Sequence, residues 1–237
     1  MLYYDSGSST HAVQRTVPAN LASFPPQFKF YDRGEHELGL AGQNVPLDMI
    51  VGHLDPFYAE CRAYGRIAER KRKRPVAVPC YGFIGLSAAQ EDFLSETFHV
   101  SDWDRPEEEY DRPIADRPSF RALVKELVTD LIPFRKNMVR GMLAHLRSLR
   151  NMSVFVRDIR ADNYCGGKLV DFSVSWTAPH LMLADGLRDM NVIDEDITEE
   201  LFAFDKMIED ADIVTPVRAT PNKVYTSKLR PRKKIRY

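Results

Sequence analysis

Phe57, Cys61, Tyr64, Ile67 and Ala68 recur at helical spacing with Glu60 on the same face, which predicts a helix opening at Asp55-Pro56 and closed by Pro75. Val76 to Leu86 is rich in strand formers but cut by Pro79, Gly82 and Gly85, so it reads as an edge strand or a bent hairpin. The acidic stretch Asp102 to Pro118 carries three prolines and reads as a surface loop. Arg121 to Val128 reads as a short strand, and Val139, Met142, Leu143, Leu146 and Leu149 trace the buried stripe of the next helix. Two short apolar runs, Met152 to Val156 and Lys168 to Phe172, flank a polar loop in which Gly166-Gly167 signals a hairpin turn. Asp196, three residues before Glu199, predicts a capping box at the head of a last helix with Ile197, Leu201, Phe204 and Ile208 on its apolar face. Residues 1–25 read as a flexible leader, Phe28, Phe30 and Tyr31 as a candidate start of an edge strand, and Pro216 onward as a tail. No internal repeat is visible, and the mixture of elements predicts an α+β fold.

Composition narrows the class. The 237 residues are 44% hydrophobic and 28% charged, enough for one domain or two small ones and incompatible with a wholly disordered chain. No window approaches the apolar length of a membrane span, and the start of the chain lacks the basic-then-apolar order of a secretory signal. The expectation is therefore an intracellular protein of nucleus or cytoplasm, without a membrane partner. Cys61, Cys80 and Cys165 are an odd number with no CxxC pair, and the six histidines lack metal-ligand spacing, which argues against disulfides and zinc.

Charge is uneven although Lys+Arg number 33 and Asp+Glu 34. Six basic residues and no acid fall between Lys228 and Tyr237, and a second basic run spans Arg70 to Arg74. Such runs serve nuclear import or contact polyanions, or are simply solvated, so nucleic acid is not expected as a partner except through Arg70–Arg74 and Lys228–Arg236.

The segment with chemical content is Val156-Arg157-Asp158-Ile159-Arg160-Ala161-Asp162-Asn163, followed by Val170-Asp171-Phe172-Ser173. An Arg-Asp pair after an apolar strand, an Asn five positions on, and an Asp-Phe at the end of a hairpin are the parts of a kinase catalytic loop and metal loop in their proper order. In that chemistry one carboxylate orients or deprotonates the attacking hydroxyl, here Asp158. An amide and a second carboxylate, here Asn163 and Asp171, hold Mg2+ against the phosphates of ATP.

Further parts follow from the same resemblance. Leu123 to Val128 looks like a kinase hinge strand, with Glu126 at the nucleotide, Met138 to Leu149 like the helix before the catalytic loop, and Glu60 like the helix-C glutamate. The wording Asp55-Pro56-Phe57-Tyr58-Ala59-Glu60-Cys61-Arg62-Ala63-Tyr64-Gly65-Arg66, with Val170 to His180, resembles a fungal protein-kinase-like family related to a subunit of the Sim-type inner-kinetochore complex. The resemblance implies a protein-kinase-like fold with a truncated or degenerate N-terminal lobe over about 26–128 and a small, mainly helical C-terminal lobe over about 129–215, followed by a basic tail at 216–237. It also implies that Lys29, Glu60, Glu126, Asn163 and Asp171 meet the cofactor.

The departures limit activity. Val156 stands where a kinase has His and Ser173 where it has Gly, and Gly34, Gly39, Gly42 and Gly52 do not form a phosphate loop. Lys29, the only lysine before Glu60, lies 31 residues upstream and serves as the phosphate lysine only if Arg33 to Leu54 are an insertion. Asn163 and Asp171 are eight residues apart, Ala178-Pro179-His180 follows almost at once, and fewer than 60 residues remain for a peptide-substrate lobe. His180 is expected to be a hydrogen-bonded structural residue, and Trp103 and Trp176 packing residues. Two readings stand: a degenerate phosphotransferase or pseudokinase able to bind Mg-ATP, and a non-catalytic fungal nuclear or kinetochore-associated module with a protein partner. A truncated gene product is a third.

Overall fold

The structure, a computed structural model, describes residues 2–4, 45–70, 75–100, 103, 109, 111–129, 132–184 and 186–220. Its elements are β1 (Leu2–Tyr4), α1 (Leu47–Leu54), α2 (Pro56–Glu69), β2 (Cys80–Leu86), α3 (Ala88–Phe98), β3 (Phe120–Glu126), α4 (Lys136–Arg150), β4 (Val154–Phe155), β5 (Tyr164–Cys165), β6 (Lys168–Leu169), β7 (Trp176–Thr177) and α5 (Met190–Asp210). The class is α+β.

One sheet runs in the order β1-β3-β2, with β1 parallel and β2 antiparallel to the central β3. Its β1 comes from the stretch that reads as a leader. β2 lies at the edge, where its glycines are tolerated, and its register shifts between Cys80 and Gly82. The hairpin of β5 and β6 turns at Gly166 and Gly167, whose φ of 56° and 77° match the twist of a tight two-residue turn.

α2 starts where Pro56 needs no amide partner and Asp55 Oδ1 accepts from the N–H groups of Phe57 and Tyr58 at 2.9 and 3.3 Å. α4 buries its predicted stripe of Val139, Met142, Leu143, Leu146 and Leu149 against Ala63, Val154, Phe172, Phe204 and Ile208. Each such large side chain contributes roughly 1.5–3 kcal/mol by leaving water. Among the described residues no helix is long and apolar enough to cross a membrane.

Two expectations are corrected. The last helix begins at Met190, capped by Asp189 accepting from Asn191 N–H at 2.7 Å, and Asp196 lies inside it. Asp196 and Glu199 do not cap because arginines hold them: Arg188 lies 2.5 Å from Asp196 Oδ2, and Arg157 lies 3.2 Å from Glu199 Oε2. The stretch after Pro216 is not a free tail at its start, since buried Asp205 accepts from Ala219 and Thr220 N–H at 2.6 and 3.0 Å. Beyond Thr220 the basic tail lies outside the described residues, as do Lys29, Phe28, Phe30, Tyr31 and Lys71–Arg74. α3 lacks an apolar stripe but has a capping box, with Ser87 and Gln90 bonding each other's backbone N–H.

Candidate functional site

Side chains four apart in a strand share a face, which places Arg121 and Lys125 of β3 on one side of the sheet. Both are buried and both meet carboxylates of α2: Arg121 Nη2 is 2.9 Å from Asp55 Oδ2, and Lys125 Nζ is 2.6 Å from Glu60 Oε2. The ammonium also donates to the carbonyl of Val170 at 2.7 Å and lies 5.3 Å from the centre of the Tyr64 ring. Glu60 Oε1 accepts from Phe172 N–H at 3.1 Å, and Phe172 packs edge-on against Tyr64 at 5.1 Å. Helix, strand and the Val170–Phe172 segment thus converge on one carboxylate.

Asp171 joins the cluster through a side-chain contact with Glu60, and the two acids diverge. Burial is the largest influence on Glu60 and raises it above the usual range, with Lys125 opposing. Burial would raise Asp171 too, but Ser173, whose N–H donates to Oδ1 at 2.8 Å, together with Glu60 and Lys125 brings it below the usual range.

Asp158 and Asn163 form a second pair. Asn163 is buried, and its Nδ2 donates to Asp158 O at 3.1 Å and to Asp158 Oδ2 at 3.0 Å. Arg160 lies 3.1 Å from the same oxygen. Just before them Arg157 adopts a left-handed φ of 67°, a costly conformation for a residue with a Cβ. It is held there by Asp196, Glu199 and the face of Trp176, 4.3 Å from its guanidinium carbon.

Of the residues singled out by sequence, then, Glu60 is brought to Asp171 and Asn163 to Asp158. Glu126 sits in β3 beside Lys125, so the pleat turns it away from the Glu60 pair, and its N–H donates to Pro79 O at 2.9 Å. His180 is buried and bonded to backbone. Arg121 and Lys125 are the residues the sequence reading passes over as members of a site. Two cations four apart in a strand whose residues 120 and 122–124 are apolar were the available signal, because such a strand has no reason to bury them unpaired.

A nucleotide phosphate would need a lysine with an N–H aimed at open space. Lys125 is 1% exposed, with its ammonium engaged by Glu60, Val170 and the Tyr64 ring. Its positive charge is paired with Glu60, while Asp171 Oδ1 accepts from Ser173 N–H. Among the described residues no group of three or more His, Cys, Asp or Glu is placed to hold a metal ion.

The family of kinetochore Sim4 complex subunit FTA2 matches residues 26–176, more than half of the chain. The chain belongs to that family. In this FTA2-family chain the matched span holds Asp55, Glu60, Arg121, Lys125, Asp158, Asn163 and Asp171 and ends at Trp176, so it takes in both clusters. No curated protein and no solved structure matches the chain.

Proposed function

We propose that this chain is a non-catalytic subunit of a nuclear kinetochore complex, working through contacts with other proteins, and that the kinase-like cluster is kept as its structural keystone. The observation that carries this reading is the burial of Lys125 between Glu60 and Val170. Lys125 locks α2, β3 and the Asp171 segment together. Family membership supports the complex and its nuclear setting.

The reading is tested by thermal unfolding of the full chain with and without millimolar ATP and magnesium. A ligand at about 100 times its Kd adds roughly 2.7 kcal/mol, a shift easily seen at this chain length. The expected result is no shift, together with co-purification of other complex subunits on a tagged chain. A magnesium-dependent rise that Asp171→Ala removes would overturn it. That outcome would favour the second reading, a pseudokinase that binds Mg-ATP through Asn163 and Asp171, for which the bond from Asn163 to Asp158 is the specific support.

A further inference from the structure

A groove follows the solvent face of α4, between that helix and the strap Thr215–Arg218, formed by two cavities of about 590 and 640 Å3 that share Arg140, Pro216 and Val217. Lys136, Arg140, Ala144, Arg147 and Asn151 succeed one another three or four residues apart and so lie on one face. From Arg135 to Asn151 the helix rises about 24 Å, the span of about seven extended residues.

The lining has one sign of charge. Arg135, Lys136, Arg140, Arg147 and Arg218 line it, and no acidic side chain does. The first four are exposed, and none of them forms an ion pair among the described residues. The floor between them is apolar, made by Leu143, Ala144, Pro216 and Val217.

Two further observations point to a ligand. Ser148 lines the cavity, is 7% exposed, and its Oγ has no hydrogen-bond partner; Arg218 Nε is likewise buried and unpartnered. A buried polar atom without a partner is a cost that an incoming group relieves. At the other end α4 has no side-chain cap and no acid in its first turn, so the positive end of its dipole faces the groove among Arg135 and Lys136.

We infer that this groove docks an acidic segment of a partner protein, one in which carboxylates alternate with apolar side chains. Carboxylates answer the arginines and the bare helix end, while apolar side chains cover the Leu143–Val217 floor. A nucleic-acid backbone would supply the anions but leave that floor uncovered. The inference rests on the reading of the chain as a complex subunit for the source of the segment. It does not depend on the Glu60–Lys125 cluster, with which the groove shares no residue.

The test is fluorescence anisotropy of a labelled Glu-Glu-Leu repeat peptide against the full chain, with unlabelled duplex DNA as competitor. Saturable binding is expected, weakened about tenfold or more by Arg140→Glu with Arg147→Glu, as for loss of charge-assisted bonds. The same loss is expected from Ala144→Trp, which fills the floor and leaves the charge, so a folding defect in the first variant does not end the test. A Glu-Glu-Ser peptide should bind more weakly than the Leu peptide. Absence of binding, binding by both variants as tight as by the unaltered chain, or displacement by DNA with the same sensitivity to both variants would each overturn the inference. None of these results bears on nucleotide binding, so the thermal-shift experiment judges the non-catalytic reading separately.

Discussion

His180 donates its Nε2–H to the backbone carbonyl of His53 at 3.0 Å, and its Nδ1 accepts from Met182 N–H at 3.1 Å. Both ring nitrogens are thus occupied in the neutral form, and a proton on Nδ1 would displace the Met182 bond. Burial, the nearby His53 ring and Arg62 lower His180 to about 3, and burial with Arg62 lowers His53 to about 4.

Both histidines titrate near 6.5 when unfolded and lower when folded, so below pH 6.5 the unfolded chain binds protons that the folded chain refuses. Stability is full above that value and falls as pH drops from about 6.5 toward 4, by up to about 1.4 kcal/mol per unit for His180. Glu60 and Glu200, raised by burial, act in the opposite direction near the carboxylate range. Melting curves at neutral pH and near pH 5 should therefore show a fall in the native chain that is smaller in His180→Gln. An equal slope in the two would refute the assignment.

Lys125→Met leaves Glu60 buried without its cation, and the expected loss is about 3–5 kcal/mol in urea unfolding. Adding Glu60→Gln should recover much of that loss, because the amide is neutral and can still accept from Phe172 N–H. Strict additivity of the two changes would show that the pair is not coupled.

Asp205→Ala removes the acceptor of Ala219 and Thr220 and should cost about 2–3 kcal/mol. Arg218 lies in the strap this aspartate fastens, so trypsin should cut there faster in the variant. Unchanged cleavage would mean that other contacts hold the strap.

The two glycines of the β5–β6 turn should respond differently. Gly166 has open space where a Cβ would stand and a φ that Asn tolerates, so Gly166→Asn should be close to neutral. At Gly167 an added Cβ would stand 3.4 Å from Met138 and 3.7 Å from Met142 with φ at 77°, and Gly167→Ala should cost about 1–2 kcal/mol. Comparable unfolding midpoints for the two variants would contradict this.

What could be read along the chain was what local spacing encodes. The α4 stripe, the Gly166-Gly167 turn and the Asp55-Pro56 helix start all depend on residues within a few positions. The Lys125 partner was hidden because β3 meets α2 only in the fold; Arg121 and Asp55, in the same interface, are 66 positions apart. The false capping box at Asp196 has the same origin. Its local signal was sound, but Arg157, 39 positions away, bonds its carbonyl, and Arg188 bonds its carboxylate. The relation to a kinetochore subunit was legible in the wording of two segments, whereas the state of the Glu60 cluster depends on burial that no spacing rule encodes.

The two ion pairs between α2 and β3 have a mechanical meaning. A helix fixed to a strand at one point can pivot about it, but Asp55 anchors the head of α2 and Glu60 its second turn. Two rivets remove the hinge, and the helix turns only if the strand turns with it. A partner pressing on either element therefore acts on both, and the same pair ties them to the Val170–Phe172 segment through Lys125 and Glu60.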